Sequence, residues 1–228
     1  MDYRVYRAAD IEYKLRRLGV RPLDVMVAGV TGAGKSTTLN ALFQKDVARV
    51  GQGVDPETME ITGYKLNDWF RIWDTPGLGD NVETDLQHKE KMTKLLRSTY
   101  RYGNGTYRVI DMALVIIEGA NRDMGTTYDL LNNVIVPNIQ KDRIFVVINQ
   151  ADLAQKGHHW NRITNTPDAV LAAFLEQQAA SVQQRVQEAT GVTIRKPICY
   201  SAEYGWNLQS VFDFIVDNIP AKRRAYGH

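Results

Sequence analysis

Short apolar runs alternate with longer segments of helical spacing along most of the chain. The apolar runs that predict strands are Leu23–Ala28, Trp69–Asp74, Met112–Ile117, Arg143–Ile148 and Pro197–Tyr200, and Met59–Leu66 alternates as a further strand. The segments of helical spacing are Ser36–Phe43, Thr84–Tyr102, Thr126–Val136, about Asn207–Asn218 and a long segment that ends near Gly191. Thr166 is expected to cap this long helix and Pro167 to start it. Because strands and helices take turns, the pattern predicts an α/β domain with three layers and a mixed, mostly parallel six-stranded sheet.

Another short helix is predicted ahead of the first strand, at about Ala9–Leu18. We expect its apolar face to pack back on the domain; a membrane-surface or partner helix is the alternative, for which this face is short. No linker rich in proline, glycine and serine divides the 228 residues, so one domain is predicted. Its expected parts are a helical extension (1–22), the main domain (23–219) and a basic tail (220–228).

Composition excludes several classes of protein. The formal charge of +2 is too small to argue for nucleic acid by itself. The basic residues near the two ends are expected to form a solvated face; they are Lys14, Arg16, Arg17, Arg21, Lys222, Arg223 and Arg224. A single cysteine, Cys199, excludes a disulfide within the chain and a cysteine-based zinc site. The sequence opens without a signal-peptide core and has no apolar run long enough to span a bilayer, so a cytoplasmic, soluble protein is expected.

The segment Gly29–Thr37 (GVTGAGKST) has the spacing of a phosphate-binding loop, between a predicted strand and a predicted helix. Its glycines permit a tight turn whose backbone N–H groups face phosphate oxygens. Lys35 is placed to reach the β- and γ-phosphates, and Ser36 to hold Mg²⁺. The predicted nucleotide-binding residues here are Gly29, Thr31, Gly32, Ala33, Gly34, Lys35, Ser36 and Thr37.

Two later segments are expected to respond to the γ-phosphate. The loop Asp46–Pro56 leads to Thr58, whose hydroxyl is a candidate Mg²⁺ ligand, with Thr62 as the competitor. We favour Thr58, because the strand Met59–Leu66 makes Thr62 a sheet residue. At the end of another strand, Asp74 begins the sequence DTPG; it is expected to bind Mg²⁺ through a water, and Gly77 to sense the γ-phosphate through its N–H group. Lys35, Thr58, Asp74 and Gly77 are the predicted catalytic residues.

Two further loops are expected to select the base. The strand Arg143–Ile148 runs into Asn149, Gln150 and Asp152, where the aspartate can accept the N1–H and N2–H pair of guanine, which adenine does not present. Asn149 is expected to tie the region of guanine O6 to the phosphate loop. After the last strand, the backbone N–H groups of Ser201, Ala202 and Glu203 are candidates to contact guanine O6.

Together, GVTGAGKS, DTPG, NQAD and SAE resemble the nucleotide-binding motifs of the Era-like small GTPases, over about Leu23–Ile219. The chain is also similar to short bacterial GTPases labelled as ribosome-binding. The resemblance implies binding of GTP and GDP with Mg²⁺, hydrolysis of GTP, and an effector that is a protein or a ribonucleoprotein. No counterpart of the Era RNA-binding extension is expected after Ile219, where the sequence continues as PAKRRAYGH.

The sequence departs from its relatives at two positions. Gln150 stands where the base motif usually has lysine, so weaker nucleotide affinity is expected. Leu78 stands where Ras-like enzymes have the glutamine that orients water. The resemblance implies that other groups, a K⁺ ion or a partner position the water, and a GTP-dependent homodimer is one such partner; unassisted turnover should be slow. A nucleotide-gated binding module that scarcely hydrolyses is the alternative. An ATP-using enzyme is disfavoured by Asp152.

Overall fold

The computed structural model describes residues 1–19, 22–43, 48–50, 62–120 and 124–226. Thr58, the candidate Mg²⁺ ligand, lies outside these residues. The strands are β1 (Leu23–Gly29), β2 (Ala48–Val50), β3 (Thr62–Asn67), β4 (Phe70–Asp74), β5 (Thr99–Tyr102), β6 (Gly105–Arg108), β7 (Met112–Glu118), β8 (Ile144–Asn149), β9 (Trp160–Asn161), β10 (Thr166–Pro167) and β11 (Ile198–Cys199). The α-helices are α1 (Ala8–Leu18), α2 (Lys35–Phe43), α3 (Val82–Arg97), α4 (Gly125–Leu130), which continues as a π-helix over Leu131–Ile135, α5 (Ala169–Thr190) and α6 (Leu208–Asp217).

The main sheet has the order β11-β8-β7-β1-β4-β3-β2. The five strands from β11 to β4 are parallel, whereas β3 and β2 run antiparallel, so the α/β fold with a mixed, mostly parallel sheet is confirmed. Seven described strands replace the predicted six, because Ala48–Val50 pairs with β3 inside the segment Asp46–Pro56 that we expected to be a loop. Thr62 lies in β3, opposite Asp74, as the alternation predicts.

Both faces of the central strands are buried, which explains their continuous apolar sequence. In β1, Met26 and Ala28 join one core cluster with residues of α3, α4 and α5, while Val25 and Val27 join the other with residues of α1, α2 and α6. Successive side chains of a strand point to opposite faces, so one strand serves both cores. The result is the expected three-layer arrangement.

The helix α1 packs on the domain, as its apolar face predicts. Ile11 and Leu15 are fully buried in the core cluster that includes α6. The residues before the helix contact α6 as well: the ring of Tyr3 lies 5.0 Å from that of Phe212, and the Tyr6 hydroxyl donates to Asp213 at 3.0 Å.

Two predicted helix boundaries were wrong. The helix α3 ends at Arg97 rather than Tyr102, because the sequence TYRYGNGTYR that follows forms the antiparallel hairpin of β5 and β6. The helix α5 is capped by Asp168, which accepts from the Leu171 N–H, and not by Thr166. Its buried stripe is Leu171, Leu175, Ala179, Val182 and Val186, whereas the neighbouring Val170 is 53% exposed.

The expectation of a solvated basic face at the C-terminal end was also wrong for two residues. The Arg223 side chain is 5% exposed and pairs with the buried Asp111. Arg224 is buried and donates to the carbonyl oxygens of Ile110 and Asn138. These guanidinium groups satisfy backbone and carboxylate acceptors at the edge of the sheet where β1 and β7 begin, so the tail is part of the folded domain. Among the described residues, no helix combines the length and the apolar composition that crossing a bilayer requires.

Candidate nucleotide-binding site

The phosphate loop leaves the fully buried strand β1 and enters α2 at Lys35. Gly32 and Gly34 have φ angles of 86° and 82°, which favour glycine. A Cβ atom at Gly34 would lie 2.2 Å from Asn149 Nδ2, and one at Gly29 would lie 2.4 Å from the carbonyl oxygen of Ile116. The glycines are therefore required both by the turn and by the close approach of the β7 backbone and the Asn149 side chain.

Lys35 is buried at the base of this loop. Its ammonium group donates to the carbonyl oxygens of Gly29 at 3.2 Å and Val30 at 3.0 Å. Burial lowers the pKa of Lys35, and the negative charges of Asp74, Asp80 and Glu118 oppose that shift. These contacts hold the ammonium group beside a cavity of about 470 Å³, lined by Thr31, Gly32, Gly34, Lys35, Ser36, Thr37, Asp74, Thr75, Pro76 and Gly77.

Asp74 ends β4 at the wall of the same cavity. Burial raises the pKa of this carboxyl, while Lys35 and the Thr75 backbone N–H act in the opposite direction. The Oδ1 atom of Asp74 is buried and has no hydrogen-bond partner among the described residues. The Thr75 hydroxyl donates to Val27 O at 2.7 Å, which ties the strand end to β1. The site thus contains a buried carboxylate oxygen to which no described residue donates a hydrogen bond.

The loop after DTPG lies directly on the phosphate loop. The Thr31 N–H donates to Leu78 O at 2.8 Å, and the Leu78 N–H donates to Gly29 O at 3.4 Å. A Cβ atom at Gly77 would lie 2.5 Å from Thr31 Oγ1, so only glycine permits this approach. Leu78 is fully buried in the core.

The base-motif residues join the phosphate loop to the loop after β11. Asn149 Nδ2 donates to Ala33 O at 3.0 Å, and Asn149 Oδ1 accepts the Ala202 N–H at 3.0 Å. The N–H that the sequence predicts to contact guanine O6 therefore has Asn149 as its acceptor in this structure. The Ser201 N–H likewise donates to Trp206 O at 3.0 Å, and Glu203 is exposed.

The side chains of Asp152 and Gln150 contact different loops of the site. The buried Asp152 accepts a hydrogen bond from the Ser201 hydroxyl on Oδ1 at 2.6 Å. Gln150 has a left-handed backbone, with φ 60°, and its Nε2 donates to Gly32 O at 2.9 Å. This amide reaches the phosphate loop without the positive charge of the usual lysine.

Sequence reasoning did not single out four further residues that border the site. Gly119 packs on the base loop, since a Cβ atom there would lie 2.7 Å from Asn149 O. Glu118 is close to Gly32 and acts on Lys35. From α3, Asp85 and His88 contact Gly79 and Gly77. The register of β7 on β8 sets Glu118 opposite Asn149, and this register is the one signal that places Glu118 and Gly119 at the site. No sequence motif marks Asp85 or His88.

The phosphate loop, the DTPG turn and the base motif meet at the carboxyl ends of the parallel strands β1, β4 and β8, where ligands bind in open α/β sheets. The fold and this site define a P-loop GTPase. The family profile described as 50S ribosome-binding GTPase matches residues 24–150, more than half of the chain. The chain therefore belongs to this GTPase family, as its Era-like motifs predict.

Relatives in sequence are longer proteins. The chain is 26% identical to Translocase of chloroplast 120 of Arabidopsis thaliana over 196 residues, which cover 81% of this chain and 17% of the translocase. It is 23% identical to GTPase Der of Thermosipho africanus over 202 residues, 87% of this chain and 37% of Der. It thus spans well under half of either relative.

Solved structures confirm the fold. A GTP-binding protein from Sulfolobus solfataricus in complex with GDP superimposes with a TM-score of 0.54 at 14% identity, over 94% of this chain and 57% of that one. The bacterial dynamin GTPase LeoA from ETEC gives a TM-score of 0.56, also at 14% identity, over 96% of this chain and 44% of LeoA.

Proposed function

We propose that this chain is a guanine-nucleotide switch that hydrolyses GTP slowly to GDP and phosphate. The observation that carries the proposal is the pair of hydrogen bonds by which Asn149 links the phosphate loop, at Ala33, to the loop of Ser201–Glu203. This link sets a base-recognition site beside a phosphate-recognition site, which is the arrangement that one nucleotide requires.

The phosphate end supplies most of the proposed catalysis. Water attacks the γ-phosphorus in line with the bond to the β,γ-bridging oxygen, and that bond breaks. Lys35 and the N–H groups of the phosphate loop stabilise the negative charge that grows on the bridging oxygen. The contacts from Lys35 to Gly29 O and Val30 O hold the ammonium group in place before the reaction begins.

The residues present fit a bound Mg²⁺ ion. The buried oxygen Asp74 Oδ1, which has no donor within the described part of the chain, favours a cation nearby, and Ser36 lines the same cavity. Ser36 would hold the ion directly and Asp74 through a water, and Thr58 would add a third oxygen. When bound, the ion neutralises charge on the β- and γ-phosphates.

The base end is proposed to select guanine. Asp152 uses Oδ1 to accept from Ser201, and Oδ2, which has no hydrogen bond from a described residue, is proposed to accept from the base. Since the carboxylate is an acceptor only, it favours guanine, which presents two donors at N1 and N2. Adenine presents no such pair.

The position of Leu78 supports slow hydrolysis. Its side chain is fully buried and apolar, so it cannot orient the attacking water. Another group must do so, and we propose K⁺, a protein or ribonucleoprotein effector, or a second copy of the chain bound across the nucleotide. Unassisted turnover of roughly 10⁻⁴ to 10⁻² s⁻¹ is expected, the range of GTPases that lack help in trans. A cytoplasmic location, where GTP is available, belongs to the same proposal.

The burial of Leu78 also favours a second candidate function, a nucleotide-gated binding module that scarcely hydrolyses. Single-turnover phosphate release separates the two, measured in K⁺ and in Na⁺ and over a range of protein concentrations, with Lys35→Ala as the inactive control. Release above the Lys35→Ala background supports the GTPase, and a rise with protein concentration supports the dimer. Release equal to that background in every condition, with GTP bound, supports the binding module instead.

A further inference from the structure

The loop Gly77–Gly79 is bound on two sides, by the phosphate loop and by α3. In the Gly77–Leu78 peptide group, the carbonyl oxygen lies 2.8 Å from His88 Nδ1 and the N–H donates to Gly29 O. In the Leu78–Gly79 peptide group, the carbonyl oxygen accepts from the Thr31 N–H and the N–H donates to Asp85 at 2.9 Å. Each of these two peptide groups therefore has one end on the phosphate loop and the other on α3.

The N–H of Gly77 differs from the two that follow it. It has no acceptor among the residues that the structure describes, whereas the N–H groups of Leu78 and Gly79 are both bonded. Gly77 lines the cavity that also contains Lys35 and Ser36. Its close packing on Thr31 leaves the Gly77 backbone little room to shift. An unused donor at a fixed place on the cavity wall suits an anionic oxygen.

The bond from His88 has a definite direction. A carbonyl oxygen only accepts, so His88 Nδ1 must carry the proton and donate it to Gly77 O. The ring is half-buried on α3, and the N-terminal turn of that helix is fixed by its Asn81 cap, which accepts from the Thr84 N–H at 2.9 Å. The donor is thus presented from a rigid element rather than from a loop.

We propose that His88 is a positioning residue for the γ-phosphate. By holding Gly77 O, it fixes the following peptide group and keeps the Gly77 N–H available to the γ-phosphate, so it favours GTP over GDP. GDP lacks the group that this N–H would contact, and its binding should not depend on His88. The inference rests on the proposed function, since it assumes that a guanine nucleotide occupies the cavity.

Calorimetric titration with GDP and with the β,γ-imido analogue of GTP tests the role of His88. His88→Ala removes the donor, and His88→Asn keeps one, because the asparagine amide nitrogen lies where Nδ1 was. The matched control is Gln87→Ala, at an exposed neighbouring position of α3. We expect His88→Ala to weaken the analogue about three- to tenfold, the value of one neutral hydrogen bond, and GDP by less than about twofold. His88→Asn should restore the analogue affinity, and Gln87→Ala should change neither.

Equal weakening of both ligands by His88→Ala would overturn the proposal, because it would indicate a merely structural role. Unchanged affinity for both, or failure of His88→Asn to restore the analogue, would overturn it as well. A wild-type chain that binds neither ligand would refute the proposed function itself, which is a different result from any of these.

Discussion

The side-chain amide of Gln150 donates a hydrogen bond to the carbonyl oxygen of Gly32, at 2.9 Å. This contact braces the phosphate loop from the base motif without a positive charge. The usual lysine at this position would add a charge near the phosphates, and Gln150 supplies only the hydrogen bond.

We therefore expect Gln150→Ala to weaken GDP binding about three- to tenfold, because a neutral hydrogen bond is lost. Gln150→Lys should strengthen GDP binding and make it fall more steeply with salt, since charge attraction is screened. Titration of GDP at two ionic strengths measures both effects. If Gln150→Ala binds GDP as tightly as the wild type does, the hydrogen bond from Gln150 to Gly32 does not contribute to GDP binding.

Asp152→Asn should move the base preference from guanine to xanthine nucleotides. Asparagine offers a donor as well as an acceptor, and xanthine has an oxygen where guanine has its 2-amino group. We expect GDP affinity to fall about 10- to 100-fold, the value of a hydrogen bond to a charged group, and XDP affinity to rise. Competition between GDP and XDP for one fluorescent nucleotide reports the change, and an unmoved preference would remove Asp152 from the base site.

Arg223→Ala should destabilise the domain. The change leaves the buried carboxylate of Asp111 without its closest cation, and removal of one partner of a buried pair costs about 3–5 kcal/mol. Lys222→Ala, at an exposed neighbouring position, is the control and should change the unfolding free energy by less than about 0.5 kcal/mol. Urea unfolding of both variants at neutral pH makes the comparison; equal stability of the two would contradict the burial of the tail.

Asp111 should also make stability depend on pH. Burial raises the pKa of its carboxyl to about 6 from the ordinary 3.8, with Arg223 and Arg143 opposing and Asp24 adding to the shift. A carboxyl group whose pKa is higher in the folded state contributes its full stabilisation at pH values below its unfolded-state pKa. This contribution is lost as the pH rises through the folded-state pKa. Asp111→Asn should therefore gain stability relative to wild type between about pH 4 and about pH 6.

Urea unfolding at several pH values tests this, with the exposed Asp142→Asn as the control. A constant difference between Asp111→Asn and wild type across the range would show that Asp111 does not titrate as the buried geometry implies.

Local patterns were sufficient for the sheet core and the phosphate loop. The continuous apolar run of β1 predicts a buried strand, and the glycines at 29, 32 and 34 predict the tight turn that follows it. Both features depend on residues next to each other in the sequence. The end of α3 was missed because Tyr100 and Tyr102 continue a helical spacing as well as a strand alternation.

Contacts between distant segments were beyond sequence reasoning. The burial of Arg223 depends on Asp111, and the brace of Gln150 depends on a carbonyl group of the phosphate loop. Neither partner is marked by spacing or composition. His88 was missed for the same reason, since it contacts a backbone atom that no motif identifies.

The central proposal, that the chain recognises a guanine base and its phosphates together, is tested by nucleotide selection in the wild-type chain. Titration calorimetry with GDP and with ADP, each in the presence of Mg²⁺, compares the two bases on one phosphate loop. We expect GDP to bind and ADP to bind at least about tenfold more weakly, because adenine offers Asp152 no donor pair. Equal affinity for ADP and GDP, or no binding of either, would contradict guanine recognition by this site.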